Sequence, residues 1–145
     1  RRAGVQFRSY VNQVDAAVAK LRSTVTGRNR PLGTNVRITH TTSSFNEDDP
    51  VIMIGRSSEK QLGIIEDPNF STRIKYLPIR RGGRNRFASF KRQLDAIIIQ
   101  GGDSGAPVLL ANDKSLAGIH IAGNSNEGLF CRIDLVFQEL SVTLA

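Results

Sequence analysis

The stretch Gln100-Gly101-Gly102-Asp103-Ser104-Gly105-Ala106-Pro107-Val108 decides how the rest of the chain is read. Apolar residues lead into it, Ala96 to Ile99, and others lead out, Val108 to Ala111. A glycine-rich bend with one small hydroxyl at its centre, set between two strands, can present a nucleophile. The glycines permit a sharp turn and a close approach by a substrate carbonyl. The N–H groups of Gly102 and Ser104 are then placed to hold a developing oxyanion. A plain tight turn would use the same Gly and Asp residues. A second stretch, Leu116-Ala117-Gly118-Ile119-His120-Ile121-Ala122-Gly123-Asn124, follows after the polar turn Asn112-Asp113-Lys114.

These two motifs, followed by Glu127-Gly128-Leu129-Phe130-Cys131-Arg132-Ile133, resemble the chymotrypsin-like serine proteases, and more closely the picornavirus-type processing proteases. In that family the nucleophile is usually Cys; here the position holds Ser104. The likeness runs over roughly Leu94 to Leu140, about a third of the chain. It implies an antiparallel β-barrel and a polyprotein-processing endopeptidase that works through an acyl-enzyme. It also implies a strand, Gly118 to Gly123, that lines the pocket for the residue before the cut. His120 would donate there to a Gln or Glu side chain, with Gly118, Ala122 and Gly123 shaping the pocket. No cofactor and no metal are needed, and the substrate is a polypeptide, a viral polyprotein. A virus-encoded protein in host cytoplasm follows.

One hundred and forty-five residues fit one domain with a core of its own. With 39% hydrophobic and 23% charged residues the chain reads as globular. No apolar run is long enough to span a bilayer, so no membrane partner is expected. Arg1-Arg2 is not followed by an apolar segment of the secretory kind. The single Cys131 excludes an internal disulfide and reads as a buried thiol in an alternating strand, which fits a reducing compartment. Two His and one Cys, far apart, lack metal-ligand spacing. The net charge of +7 suits a polyanion or a solvated surface.

Taken in order, Tyr10 to Val25 carries Val11, Val14, Val18, Leu21 and Val25 at steps of three and four, which predicts a helix. The family resemblance agrees, since such proteases commonly begin with one. Gly27 to Thr34 is a connector, and Val36 and Ile38 alternate as a short strand. Residues 1–45 thus form a helix and connector, a remnant of or lead-in to a first barrel, and 46–145 the barrel bearing the nucleophile. Val51 to Gly55, bounded by Pro50, reads as a buried strand. Gln61 to Ile65 and Arg73 to Ile79 read as strands around a turn at Glu66-Asp67-Pro68-Asn69. Arg80 to Arg86 is a hairpin tip, with Phe87 to Arg92 and Leu94 to Ile99 returning. Ile133 to Leu140 closes the chain as a short helix or strand.

A Ser nucleophile needs a base within hydrogen-bond reach and an acid to orient that base. The resemblance assigns His120 to the pocket, which leaves His40 as base candidate, with Asp48 or Asp49 as the acid and Asp49 preferred. His40 also reads as a surface histidine in a Thr/Ser-rich tract. Two barrels usually need roughly 200 residues. Most of a first barrel is therefore absent, reduced or supplied by a partner chain. Three readings stand: a compact triad of Ser104, His40 and Asp49; a nucleophile half whose base and acid lie elsewhere; or a protease-like module that binds RNA or protein. In the last, Arg80, Arg81, Arg84 and Arg86 would contact RNA phosphates.

Overall fold

In a computed structural model the structure describes residues 2–3, 5–7, 11–31, 33–56, 59–98, 104–124 and 126–144. The apolar run after Pro50 becomes β4 (Pro50–Ile54), preceded by three two-residue strands, β1 (Arg2–Ala3), β2 (Val11–Asn12) and β3 (Ala16–Ala17). Then come β5 (Lys60–Tyr76), β6 (Arg86–Ile98), β7 (Pro107–Leu110), β8 (Leu116–Gly123), β9 (Glu127–Arg132) and α1 (Ile133–Leu140). The main sheet runs β2-β6-β5-β4-β7-β8-β9, and β6 pairs also with β9. That last pairing closes six antiparallel strands into a barrel and removes the open edges.

The barrel has apolar side chains on both surfaces of its walls. Val51 and Met53 of β4 join Ile65, Leu94, Val108 and Phe130 in one cluster. The alternate residues Ile52 and Ile54 join Leu109, Cys131 and the α1 residues Ile133, Val136 and Leu140 in another. A strand covered on both faces reads as an unbroken apolar run, which is why Val51-Ile52-Met53-Ile54 shows no alternation. Val14 and Ile38 from the leading segment are buried in the outer cluster. Arg132 holds that segment down. It donates to the Ser43 carbonyl at 3.3 Å, pairs with Asp134 at 3.0 Å and lies over the Phe45 ring. Asp134 in turn occupies the first turn of α1, where a carboxylate favours the helix N-terminus.

The expected helix over Tyr10 to Val25 does not form. The described part of it is extended, with β2 pairing parallel to β6 through Val11↔Ser89 and Asn12↔Phe90. Asn12 explains the difference. Its amide donates to the carbonyls of Gln6 and Ser89, and its Oδ1 accepts from the Gln6 N–H. These bonds hold the backbone in register with β6. Val18, Leu21 and Val25, which a helix would have turned inward, are exposed. The β-branched valines favour an extended chain once a strand edge is available. Among the described residues the helix is instead α1, at the other end of the chain.

Two further expectations change. The turn at Glu66 to Asn69 is absorbed into β5, which passes through it with register shifts between Ile65, Asp67, Phe70 and Thr72. Among the described residues Val36 and Ile38 form no strand; Ile38 donates its N–H to the Asn29 carbonyl at 2.8 Å, and Thr41 bridges to Leu116. The Arg80 to Arg86 tip does turn as expected, with Gly82 at φ 79°.

Candidate active site

Ser104 and Gly105 form the turn that opens β7. Gly105 has φ 87°, in the left-handed region that favours glycine. Its N–H donates to the His120 carbonyl at 2.8 Å, and the His120 N–H donates to the Ala106 carbonyl at 2.8 Å. Antiparallel pairing continues from there through Pro107↔Ile119 and Val108↔Gly118. The turn that bears the hydroxyl and the strand that bears the imidazole are thus locked side by side. Ser104 is exposed. Gly102 and Asp103, expected in the oxyanion hole and the turn, lie outside the described residues.

Ser104 opens on a concavity of about 320 Å³, walled by Pro31, Ile54, Gly55 and Arg56 as well as by its own turn. Arg56 follows β4 after Gly55 and adds a basic residue to the lining of the same concavity. Nothing in the sequence marked it, apart from its place after the buried strand that pairs with β7.

His120 is 5% exposed, and its ring packs against Phe130 with centroids 5.3 Å apart. Gly123 makes room for it. A Cβ at Gly123 would stand 3.2 Å from His120 Nε2 and would overlap the Glu127 carbonyl. Gly118 has a different role. A Cβ there would lie 2.6 Å from the Cys131 carbonyl oxygen, so glycine lets β8 and β9 approach. Ala122 and Gly123 line a separate cleft of about 390 Å³, opposite Phe70, Arg73 and Lys75 of β5. Asp95 sits in this cleft, 8% exposed. Burial, then the nearby Glu127, Glu66 and Asp67, pushes its carboxyl up to about 6.

The compact base and acid are not brought to Ser104. Leu116 donates its N–H to the His40 carbonyl, and His40 Nε2 lies 3.3 Å from Asp113 Oδ2. Asp113 is held down to about 2, chiefly by the backbone N–H of Ser115, with His40 a lesser cause. Asp49 accepts from the Asn46 N–H at 2.7 Å, while the Pro50 carbonyl receives the Ala111 N–H. The His40–Asp113 pair and the Asp49-Pro50 segment therefore lie beyond the far end of β7 (Pro107–Leu110), and Ser104 precedes its start. The four residues of β7 alone span roughly 13 Å, at ~3.3 Å per residue. A general base must come within about 3 Å of the proton it takes. The register thus sets His40 and Asp49 toward the end of β7 opposite to Ser104.

The basic tip also divides. Arg80, Arg81 and Arg84 are exposed, but Arg86 turns inward and stacks over the Phe7 ring at 4.3 Å. Among the described residues no group of three or more His, Cys, Asp or Glu is arranged to hold a metal.

A six-stranded antiparallel barrel with a Gly-flanked serine turn and a C-terminal helix is the chymotrypsin-like fold, present here as one barrel. Solved structures agree. Protease A of Thermobifida fusca aligns at 18% identity with a TM-score of 0.58, covering 77% of this chain and 55% of that one. The chymotrypsin of Cellulomonas bogoriensis aligns at 18% identity and 0.56, covering 74% and 55%. The chain thus spans about half the length of these structures. No family model and no curated protein matches the sequence.

Proposed function

We propose that this chain is the nucleophile-bearing half of a serine endopeptidase that processes a viral polyprotein in host cytoplasm, cutting after Gln or Glu. The reciprocal pair of backbone bonds between Gly105-Ala106 and His120 supports this reading, because it holds the Ser104 turn beside the strand that bears His120. Ser104 Oγ attacks the scissile carbonyl. Its proton passes to the base and then to the leaving amine, and water cleaves the resulting acyl-enzyme. The Gly102 and Ser104 amides hold the oxyanion. The His120 imidazole, beside Gly123, donates to the side-chain carbonyl of the residue before the cut. The base and acid come from polypeptide outside these residues, across the concavity that Arg56 borders. The buried thiol of Cys131 suits the reducing compartment.

The test is labelling by a serine-directed phosphonate, on this chain and on a longer polypeptide that contains it. Labelling of the longer form is expected to vanish with Ser104→Ala and to survive His40→Ala. His120→Ala should lose discrimination for Gln and Glu peptides while Ser104 still labels. No labelling of either form would refute the peptidase reading. The distance of His40 from Ser104 favours one alternative, a module without a complete triad that binds RNA or a protein partner. That module would resist labelling in every form.

A further inference from the structure

We infer that the β5–β6 hairpin tip is a docking finger for an anionic lipid surface, with Leu77 and Ile79 entering the acyl boundary and Arg80, Arg81 and Arg84 on the headgroups. Leu77 and Ile79 are 76% and 82% exposed, more than any other large apolar residue described. They flank Pro78 beyond the last rung of the ladder, Tyr76↔Arg86. The turn leaves them no way back. Gly83 donates its N–H to the Arg80 carbonyl at 3.0 Å, and a Cβ at Gly83 would stand 3.0 Å from both that carbonyl and the Pro78 side chain. The loop is closed on itself, so its aliphatic side chains face outward.

Along the hairpin itself the charge has one sign; an acid at its base, Asp15, is taken up by the Tyr76 hydroxyl at 2.7 Å. From Pro68 to Leu94 the chain carries eight Lys and Arg and no Asp or Glu. Arg80, Arg81 and Arg84 are exposed, and none forms a salt bridge among the described residues. Aliphatic side chains ringed by guanidinium groups match a surface with an anionic layer over an apolar one. RNA fits the tip less well. Phosphates would engage the arginines, but single-stranded bases are held on aromatic rings, and residues 77–85 contain none. The absence of a spanning segment is no obstacle, because a peripheral contact needs only side chains at the interface. This inference stands apart from the proposed peptidase activity.

The experiment is flotation of the full chain with vesicles of phosphatidylcholine, with and without phosphatidylserine, alongside a single-stranded RNA binding titration. Binding is expected only with phosphatidylserine. Leu77→Ser with Ile79→Ser should weaken it about tenfold or more, and leave RNA affinity unchanged. Arg80→Gln, Arg81→Gln and Arg84→Gln together should weaken it on the order of a hundredfold, at roughly fivefold for each charge. All five positions are solvent-facing, so an unchanged melting temperature verifies that the variants fold. Failure to float with phosphatidylserine, or flotation indifferent to the Leu77 and Ile79 changes, would overturn the inference. RNA binding that depends on the arginines, without vesicle binding, would assign the tip to RNA instead.

Discussion

Replacing Asp95 by Asn should stabilise the protein at neutral pH and leave it unchanged in mild acid. Asp95 lies on β6 opposite Leu129 of β9 and is almost wholly buried. Burial, with three acidic neighbours, raises its carboxyl from 3.8 to about 6, against a small opposing effect from the Ala96 N–H. The folded protein therefore keeps a proton at pH values where the unfolded chain has released it. Stability from this group is complete below about pH 4, falls as pH rises toward about 6, and is level above that. A shift of about two pH units corresponds to about 3 kcal/mol at 1.36 per unit. The cleft opens to water and Arg73 and Lys75 line it, so screening reduces this to roughly 1–2 kcal/mol. Asp95→Asn keeps the shape and removes the charge. Urea unfolding should show it more stable than the parent by about that amount at pH 8, with the difference vanishing near pH 4. Parallel curves at both pH values, or a less stable variant at pH 8, would refute the account.

Gly118→Ala should cost about 1–3 kcal/mol or more in the same assay, because the new Cβ meets the Cys131 carbonyl across a closed barrel that has no edge to yield. A neutral result would mean that β8 and β9 part more easily than their register suggests. Cys131, fully buried and with its thiol pushed up to about 12 mainly by burial, should resist alkylation in the folded protein and react once urea unfolds it. Rapid labelling without denaturant would place the sulfur near solvent. Gly105→Ala, at φ 87°, should destabilise the turn by about 1 kcal/mol or more and lower phosphonate labelling of Ser104 in the longer polypeptide. Unchanged labelling and stability would show that the turn tolerates a side chain.

Much of the barrel was legible because its strands announce themselves locally. The run Val51-Ile52-Met53-Ile54 between Pro50 and Gly55, the Gly82-Gly83 tip, and the paired motifs around Ser104 and His120 each carry their own signal. The leading segment did not. Its apolar spacing suits a helix, but the Ser89 carbonyl that fixes Asn12 stands 77 residues away, and no local pattern reports it. The turn expected at Asp67-Pro68 failed for a related reason: β6 supplies a partner on both sides, so the chain bulges and continues.

By itself the sequence determined the β character, the turn at Ser104-Gly105 and the strand beside it, since these depend on residue type and short spacing. The tertiary structure alone decided what His40 touches. Its place beside Asp113, a full strand away from Ser104, follows from the register of β7 against β4 and β8. Register is a property of pairing between distant segments, and a shift of a few rungs moves a base out of reach while every local motif stays the same.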